Sequence, residues 1–264
     1  TNYIEVDLSD SVLQGYQFRE LKTERISNYE LVETINKSIT AKYTIKSSDT
    51  TPSGVPSTGG LKKLKTRIIV DSTADLVPEI KARVYTVPLT VHFGQEEYID
   101  GVTIDHRTFY EKLIESDVMP TTSQATPSDF IEEFEKAKQA GEAAVVITLA
   151  SKFSGTYQSA VIAAADYENI CVVDGTSAAM GTGILAELAF RLLDAGMSAE
   201  EIADALEKEK KKIVVVALVD TLEYLKRGGR ISKTAAFAGG VLNIKPVISA
   251  TDGEIHLLGK ARGS

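Results

Sequence analysis

Tryptophan is absent from the 264 residues, cysteine occurs once, and methionine and histidine occur three times each. A single cysteine, Cys171, excludes an internal disulfide framework, and its apolar setting in Ile170-Cys171-Val172-Val173 reads as a buried structural thiol. The histidines His92, His106 and His256 stand far apart, so no zinc-ligand spacing exists. The ligand types scattered over Asp100 to His106 lack calcium spacing as well. No apolar run approaches the ~20 residues that cross a bilayer, so stable membrane insertion is not expected. Thr1 to Asp10 has neither a basic start nor an apolar stretch and does not read as a signal peptide. Basic residues are also in deficit, 29 against 37 acidic, and a formal charge of −8 argues against nucleic acid as the main partner. These absences leave an ordinary cytoplasmic globular protein as the expectation.

Hydrophobic residues make up 43% of the chain, enough for one large core or two modest ones. Residues 47–60, rich in Ser, Thr, Pro and Gly, read as a linker. Residues 1–46 before it carry a strand-like alternation at Tyr3 to Leu8 and a possible helix near Tyr29 to Ser38, with no assignable function. After the linker, strand and helix patterns alternate. Strands are expected at 67–70, 84–91, 143–149 and 170–173, with helices at 107–115, from the Thr126 cap onward, at 155–165, 184–193 and 198–211. Thr126 with Pro127 and Asp129, and Ser198 with Glu201, are capping-box signatures. The continuous apolar run Ala143 to Leu149 fits a strand covered on both faces. The alternation predicts an α/β fold: a mainly parallel sheet with helices on both faces. The last stretch differs. A buried strand over Ile213 to Val219, a short helix stopped by Gly228-Gly229, and two strands flanking Asp252-Gly253 predict a second α+β domain. That domain reads as incomplete at Ser264.

Ligands of open α/β sheets bind at the C-terminal strand ends. Those ends carry hydroxyls here: Asp71-Ser72-Thr73, Ser151 to Thr156, and Asp174-Gly175-Thr176-Ser177, with Thr121-Thr122-Ser123-Gln124 before the Thr126 cap. Such a crevice suits an anion held by neutral donors and a helix N-terminus, with Gly155 allowing close backbone approach. Taken alone, the same residues read equally as helix caps, and capping is the commoner use. Ser154 is not in a Gly-x-Ser-x-Gly elbow, since Lys152 occupies the first glycine position. Met180-Gly181-Thr182-Gly183 matches a dinucleotide fingerprint only loosely. Residues 226–264 carry a net +5 against −13 elsewhere. In Lys226-Arg227-Gly228-Gly229-Arg230, Arg227 suits a helix C-terminus, while Arg230 lies past it and reads as a phosphate or acidic-partner contact.

Several of these motifs, in this order, resemble the DegV family. They are Asp71-Ser72-Thr73-Ala74-Asp75-Leu76, Val87-Pro88-Leu89, Thr122-Ser123-Gln124, Ser154-Gly155-Thr156-Tyr157, Thr221 to Ile231, Leu242-Asn243-Ile244-Lys245-Pro246 and Gly259 to Gly263. The resemblance implies an N-terminal α/β domain over 66–197 and a C-terminal α+β domain over 198–264. It implies a carrier rather than an enzyme, with a long-chain fatty acid bound between the domains as its ligand and no other cofactor. A fatty-acid kinase is the implied partner, phosphorylating the presented carboxylate. The family's carboxylate-binding residues map onto Thr122 and Ser154, with Ser123 and Gly155 beside them, and the partner-facing arginines onto Arg230 and Arg262. Family members continue to a His-Thr-Gly-Pro-Gly segment whose histidine also meets the carboxylate; His256, on the hairpin, is not that residue. The alternative from the residues alone is an acyl hydrolase with Ser154 as nucleophile.

Overall fold

The computed structural model describes residues 64–231 and 244–262; residues 1–46 and the 47–60 linker lie outside them. A four-stranded parallel sheet carries the fold, ordered β2-β1-β6-β7. Its strands are β1 (Lys65–Asp71), β2 (Tyr85–Val87), β6 (Glu142–Thr148) and β7 (Ile170–Asp174). Central β1 and β6 are buried almost throughout, as sheets covered on both faces require. On one face pack α5 (Met180–Asp194) and α6 (Ala199–Glu209), with Leu185, Ala189, Phe190, Ile202 and Leu206 against Ile68, Val145 and Ile147. On the other pack α3 (Pro127–Ala140) and α4 (Thr156–Ala164), with Phe130, Phe134 and Ala160 against Ile69, Ala144 and Val146. The alternation of buried partners along each strand is the period of two expressed on two faces.

Local capping chemistry sets the helix ends. Thr126 and Asp129 form a full capping box at α3, with Pro127 at its first position, and Gly141 closes it in the left-handed region. Ser198 and Glu201 do the same for α6. Helix α2 (His106–Glu115) starts at Asp105, whose carboxylate accepts the Thr108 N–H at 2.7 Å.

Two antiparallel sheets complete the chain. The first, ordered β4-β3-β5, joins β3 (Thr90–Phe93), β4 (Glu96–Ile99) and β5 (Thr121–Ser123). The expected strand over 84–91 is therefore two strands in two sheets. Pro88, with no N–H to donate, ends the parallel ladder, and the chain re-pairs from Thr90 with β4 and β5. The second sheet, ordered β10-β9-β8, joins β8 (Val215–Leu218), β9 (Ile244–Thr251) and β10 (Glu254–Arg262). Asp252 and Gly253 both take positive φ, 53° and 71°, the geometry of a two-residue hairpin turn. The run 213–219, read as buried, instead alternates half-buried and exposed, because only one face of β8 meets Leu222 and Ile248. Helix α5 opens at Met180 rather than 184, and Cys171 is half-buried rather than enclosed, its thiol pKa pushed up mainly by desolvation. A one-turn helix α1 (Pro78–Lys81) and a short α7 (Glu223–Arg227) fill the connections, the latter followed by Gly229 at φ 74°. Among the described residues no helix is long and apolar enough to cross a membrane.

Candidate functional site

The C-terminal ends of β1, β6 and β7 converge, and their side chains are tied together by long-range hydrogen bonds. Asp71, fully buried at the end of β1, accepts from the Thr73 N–H at 3.0 Å and the Thr73 hydroxyl at 2.6 Å. Its other oxygen accepts from the Leu149 N–H at 2.6 Å, which joins β1 to the loop after β6. Burial raises the Asp71 pKa, and these donors pull against that rise. Asp174, ending β7, accepts from the N–H groups of Ser151 (3.1 Å) and Thr176 (2.9 Å). Two of the strand-end carboxylates are thus loop ties rather than ligand groups.

Ser154 lies on the loop between β6 and α4. Its Oγ is 2.9 Å from Thr156 Oγ1 and accepts from the Thr156 N–H at 3.3 Å. Gly155 is the N-cap of α4 at an ordinary φ of −72°, so backbone strain does not demand glycine there. Space does: a Cβ on Gly155 would sit 2.0 Å from Gln124 Oε1. Gln124 in turn donates through Nε2 to Ser159 Oγ at 3.0 Å, spanning from the end of β5 to the first turn of α4. This bridge brings the Thr122-Ser123 strand beside the Ser154-Gly155 loop. Gln124 belongs to the hydroxyl-rich motif, but its part as the bridge was not legible, because the partner lies 35 residues away.

Thr122 and Ser123 are both exposed and alternate on β5, so they face opposite sides. Thr122 stands opposite Val91. Ser123 lies 2.8 Å from His92 Nε2, and His92 Nδ1 is 3.9 Å from Glu97. His92 thus engages Ser123, and among the described residues no histidine hydrogen-bonds Ser154.

The other side of the Ser154 loop is clamped by Arg230 and by the hairpin of the C-terminal sheet. Arg230 Nε donates to the Phe153 carbonyl at 3.1 Å, and its Nη1 bonds the Gly228 carbonyl. Lys152 Nζ reaches Glu254 at 2.7 Å, and the Gly253 N–H donates to the Thr176 carbonyl at 2.8 Å. Arg230 is thus attached to the loop that carries Ser154. Arg262 pairs through its backbone with Ile244, and its side chain lies outside the described atoms. His256, half-exposed on β10, is 4.0 Å from Glu254 and apart from these hydroxyls. The basic cluster's remaining positions divide: Arg227 bonds Glu223, and Lys245 bonds Asp220.

Two further features escaped the sequence. A cavity of about 460 Å³ opens beside the β1 end, lined by Asp71, Ser72, Leu76, Val102, His106 and Met180. Ala179 takes φ 52° before α5, held there by the Asp75 N–H donating to its carbonyl at 3.2 Å. Among the described residues no group of three or more His, Cys, Asp or Glu could hold a metal ion.

The sequence profile of the DegV family, described as a family of uncharacterised proteins, matches residues 65–264. A DegV domain-containing protein of Caldanaerobacter subterraneus is 41% identical over 204 residues, covering 75% of this chain and 72% of that protein. A DegV family protein of Thermus thermophilus, solved as a fatty-acid-binding protein, superposes with a TM-score of 0.69 at 35% identity, over 76% of this chain and 72% of that one. A stearic-acid-binding protein of Eubacterium ventriosum superposes with a TM-score of 0.68 at 34% identity, over 75% and 71%. With the profile spanning the whole strand-end constellation and the C-terminal sheet, this chain belongs to the DegV family.

Proposed function

We propose that this chain binds one long-chain fatty acid, with the carboxylate held at Thr122 and Ser154, beside Ser123 and Gly155. The observation that carries this reading is the Gln124 bridge, which ties the residue after β5 to the N-terminal turn of α4. A carboxylate there meets neutral donors and the positive end of a helix. Ser154 suits the donor role. If its Oγ accepts from Thr156 through both the N–H and the hydroxyl, its own proton is free to donate to the ligand. The Thermus and Eubacterium relatives bind fatty acids, which supports the same ligand class here.

The acyl chain runs between the α/β domain proposed over 66–197 and the α+β domain proposed over 198–264. In the cytoplasm the protein acts as a carrier, not an enzyme. It presents the carboxylate to a fatty-acid kinase, where a carboxylate oxygen attacks the γ-phosphorus of ATP and ADP departs. Arg230 and Arg262, within the +5 stretch 226–264, face that partner or its phosphates. The Arg230 bond to Phe153 then gives a docked partner a direct mechanical link to the Ser154 loop.

Mass spectrometry of lipid extracted from the purified protein tests the carrier reading. A near-stoichiometric intact fatty acid is expected. Lipid-free protein that also fails to bind added fatty acid would sink it.

A further inference from the structure

Residues 175–179, between β7 and the first turn of α5, hold two of the three non-glycine positions at positive φ among the described residues, Thr176 at 49° and Ala179 at 52°. Ala179 combines that φ with a ψ of −121°, a backbone that glycine takes readily and a residue with a Cβ does not. A β-branched threonine at positive φ is an outlier too. Such conformations persist only where the surroundings fix them, and both ends of this segment are fixed. At its start, Asp174 Oδ1 accepts from the N–H groups of Ser151 and Thr176. At its end, α5 lies directly on the loop after β1. The Asp75 N–H donates to the Ala179 carbonyl at 3.2 Å, and the Asp75 carbonyl leaves no room for a Cβ on Gly183. Between these anchors two neighbouring carbonyls face two different parts of the molecule. Thr176 accepts from the Gly253 N–H of the C-terminal hairpin at 2.8 Å, and Ser177 accepts from the Ala150 N–H of the Ser154 loop at 2.7 Å.

We propose that residues 175–179 form a strained latch that couples the C-terminal hairpin to the Ser154 loop, and that its opening sets the rate at which the bound carboxylate leaves. A single peptide unit separates the carbonyl that holds the hairpin from the one that holds the Ser154 loop. Withdrawing Gly253 removes the bond that fixes the Thr176 carbonyl. Rotation of Thr176 to negative φ then turns the following peptide and carries the Ser177 carbonyl off Ala150. The Lys152–Glu254 bond belongs to the same hairpin, so the Ser154 loop loses that hold in the same motion. Relief of the Thr176 and Ala179 dihedrals favours opening, and the hydrogen bonds at Thr176, Ser177 and Ala179 favour closing. Opposed terms of similar size give a segment two accessible states rather than one. Release of ligand rests on the carboxylate reading of Ser154 given above, whereas the coupling of hairpin to loop does not.

Amide exchange of the 264-residue chain at neutral pH reads the latch without any ligand. In the wild type the Ala150 and Gly253 amides should share one protection factor, well below that of the β6 amides in the sheet core, because one local opening exposes both. Ala179→Gly relieves a dihedral at a position that donates to neither amide and accepts from neither. It should raise both protection factors by the same factor, about three- to tenfold once the glycine's added freedom in the open state is set against the relief. Thr176→Gly should act in the same direction. A fluorescent fatty acid should dissociate from both variants more slowly by a similar factor. Protection factors that differ between the two amides, that match the sheet core, or that Ala179→Gly leaves unmoved overturn the coupling. An unchanged dissociation rate in protein that binds the probe overturns the latch's part in release. Protein that binds no fatty acid sinks the carboxylate reading and with it that part, while the exchange result still decides the coupling.

Discussion

Placing alanine at Gly155 isolates the contact that joins the two halves of the proposed site. The backbone there, at φ −72°, accepts alanine, and losing a glycine's unfolded-state freedom alone stabilises by about 0.4–1 kcal/mol. Against that gain, the new methyl group would meet Gln124 Oε1 at 2.0 Å and its Cδ at 2.7 Å. These atoms end a flexible side chain, so Gln124 swings away instead of the backbone moving. The cost is its bond to Ser159, whose side chain is 2% exposed and whose hydroxyl is left short of a partner, about 1–3 kcal/mol. The balance is a destabilisation of about 1–2 kcal/mol in urea unfolding. Loosening β5 against the Ser154 loop should also weaken displacement of a fluorescent fatty acid by about tenfold. Gln124→Ala should reproduce both losses. In that background Gly155→Ala should cost nothing further, because the atom it collides with is gone. Equal and additive costs of Gly155→Ala in both backgrounds would refute the bridge as the source of the effect.

Thr122→Ala and Ser154→Ala should each weaken fatty-acid binding by about 10- to 100-fold, the loss of one hydrogen bond to a charged group at about 1.5–3 kcal/mol, with unfolding midpoints little changed. Arg262→Ala should spare fatty-acid affinity and slow acyl-phosphate formation in a coupled kinase assay. Arg230→Ala should impair both, since its guanidinium also holds the Phe153 carbonyl; an Arg230 variant with full lipid affinity would contradict that second role. Asp71→Asn should destabilise by about 3 kcal/mol, because an amide NH₂ must then face one of the Thr73 or Leu149 N–H donors. The Lys152 bond lowers the Glu254 pKa, so the hairpin tie it provides is present above the ordinary value of 4.5 and fades as pH falls through the folded value. The protection factors of the Asp252 and Gly253 amides, exchange rates corrected for their intrinsic pH dependence, should therefore fall below that range, and Glu254→Gln should abolish that fall.

The parts of this fold legible in the amino-acid order are those decided within a few residues. Thr126 caps α3 and Ser198 caps α6 through bonds reaching three residues along the chain, and Asp252-Gly253 turns the hairpin through its own two dihedrals. Ala143 to Leu149 announced a two-sided strand because burial on both faces removes polar alternation. The antiparallel sheet β4-β3-β5 was not legible. β5 is Thr121-Thr122-Ser123, wholly exposed and with no apolar period, and it exists only because β3 lies alongside to complete its hydrogen bonds. The split at Pro88 was hidden for a related reason, since Val84 to Val91 has one propensity but two different neighbours.

The site divides the same way. Motif order placed Thr122, Ser154 and Arg230 on one page of chemistry, but nothing local could say that Gln124 fills the space above Gly155. Nor could it say that Arg230 reaches a carbonyl 77 positions away, or that Asp71 secures Leu149 across 78. Composition and capping depend on free energies of single residues and their nearest neighbours. Which strand ends meet and which hydroxyl turns to which face depend on chain closure over tens of residues, and only the packed sheet and helices set them.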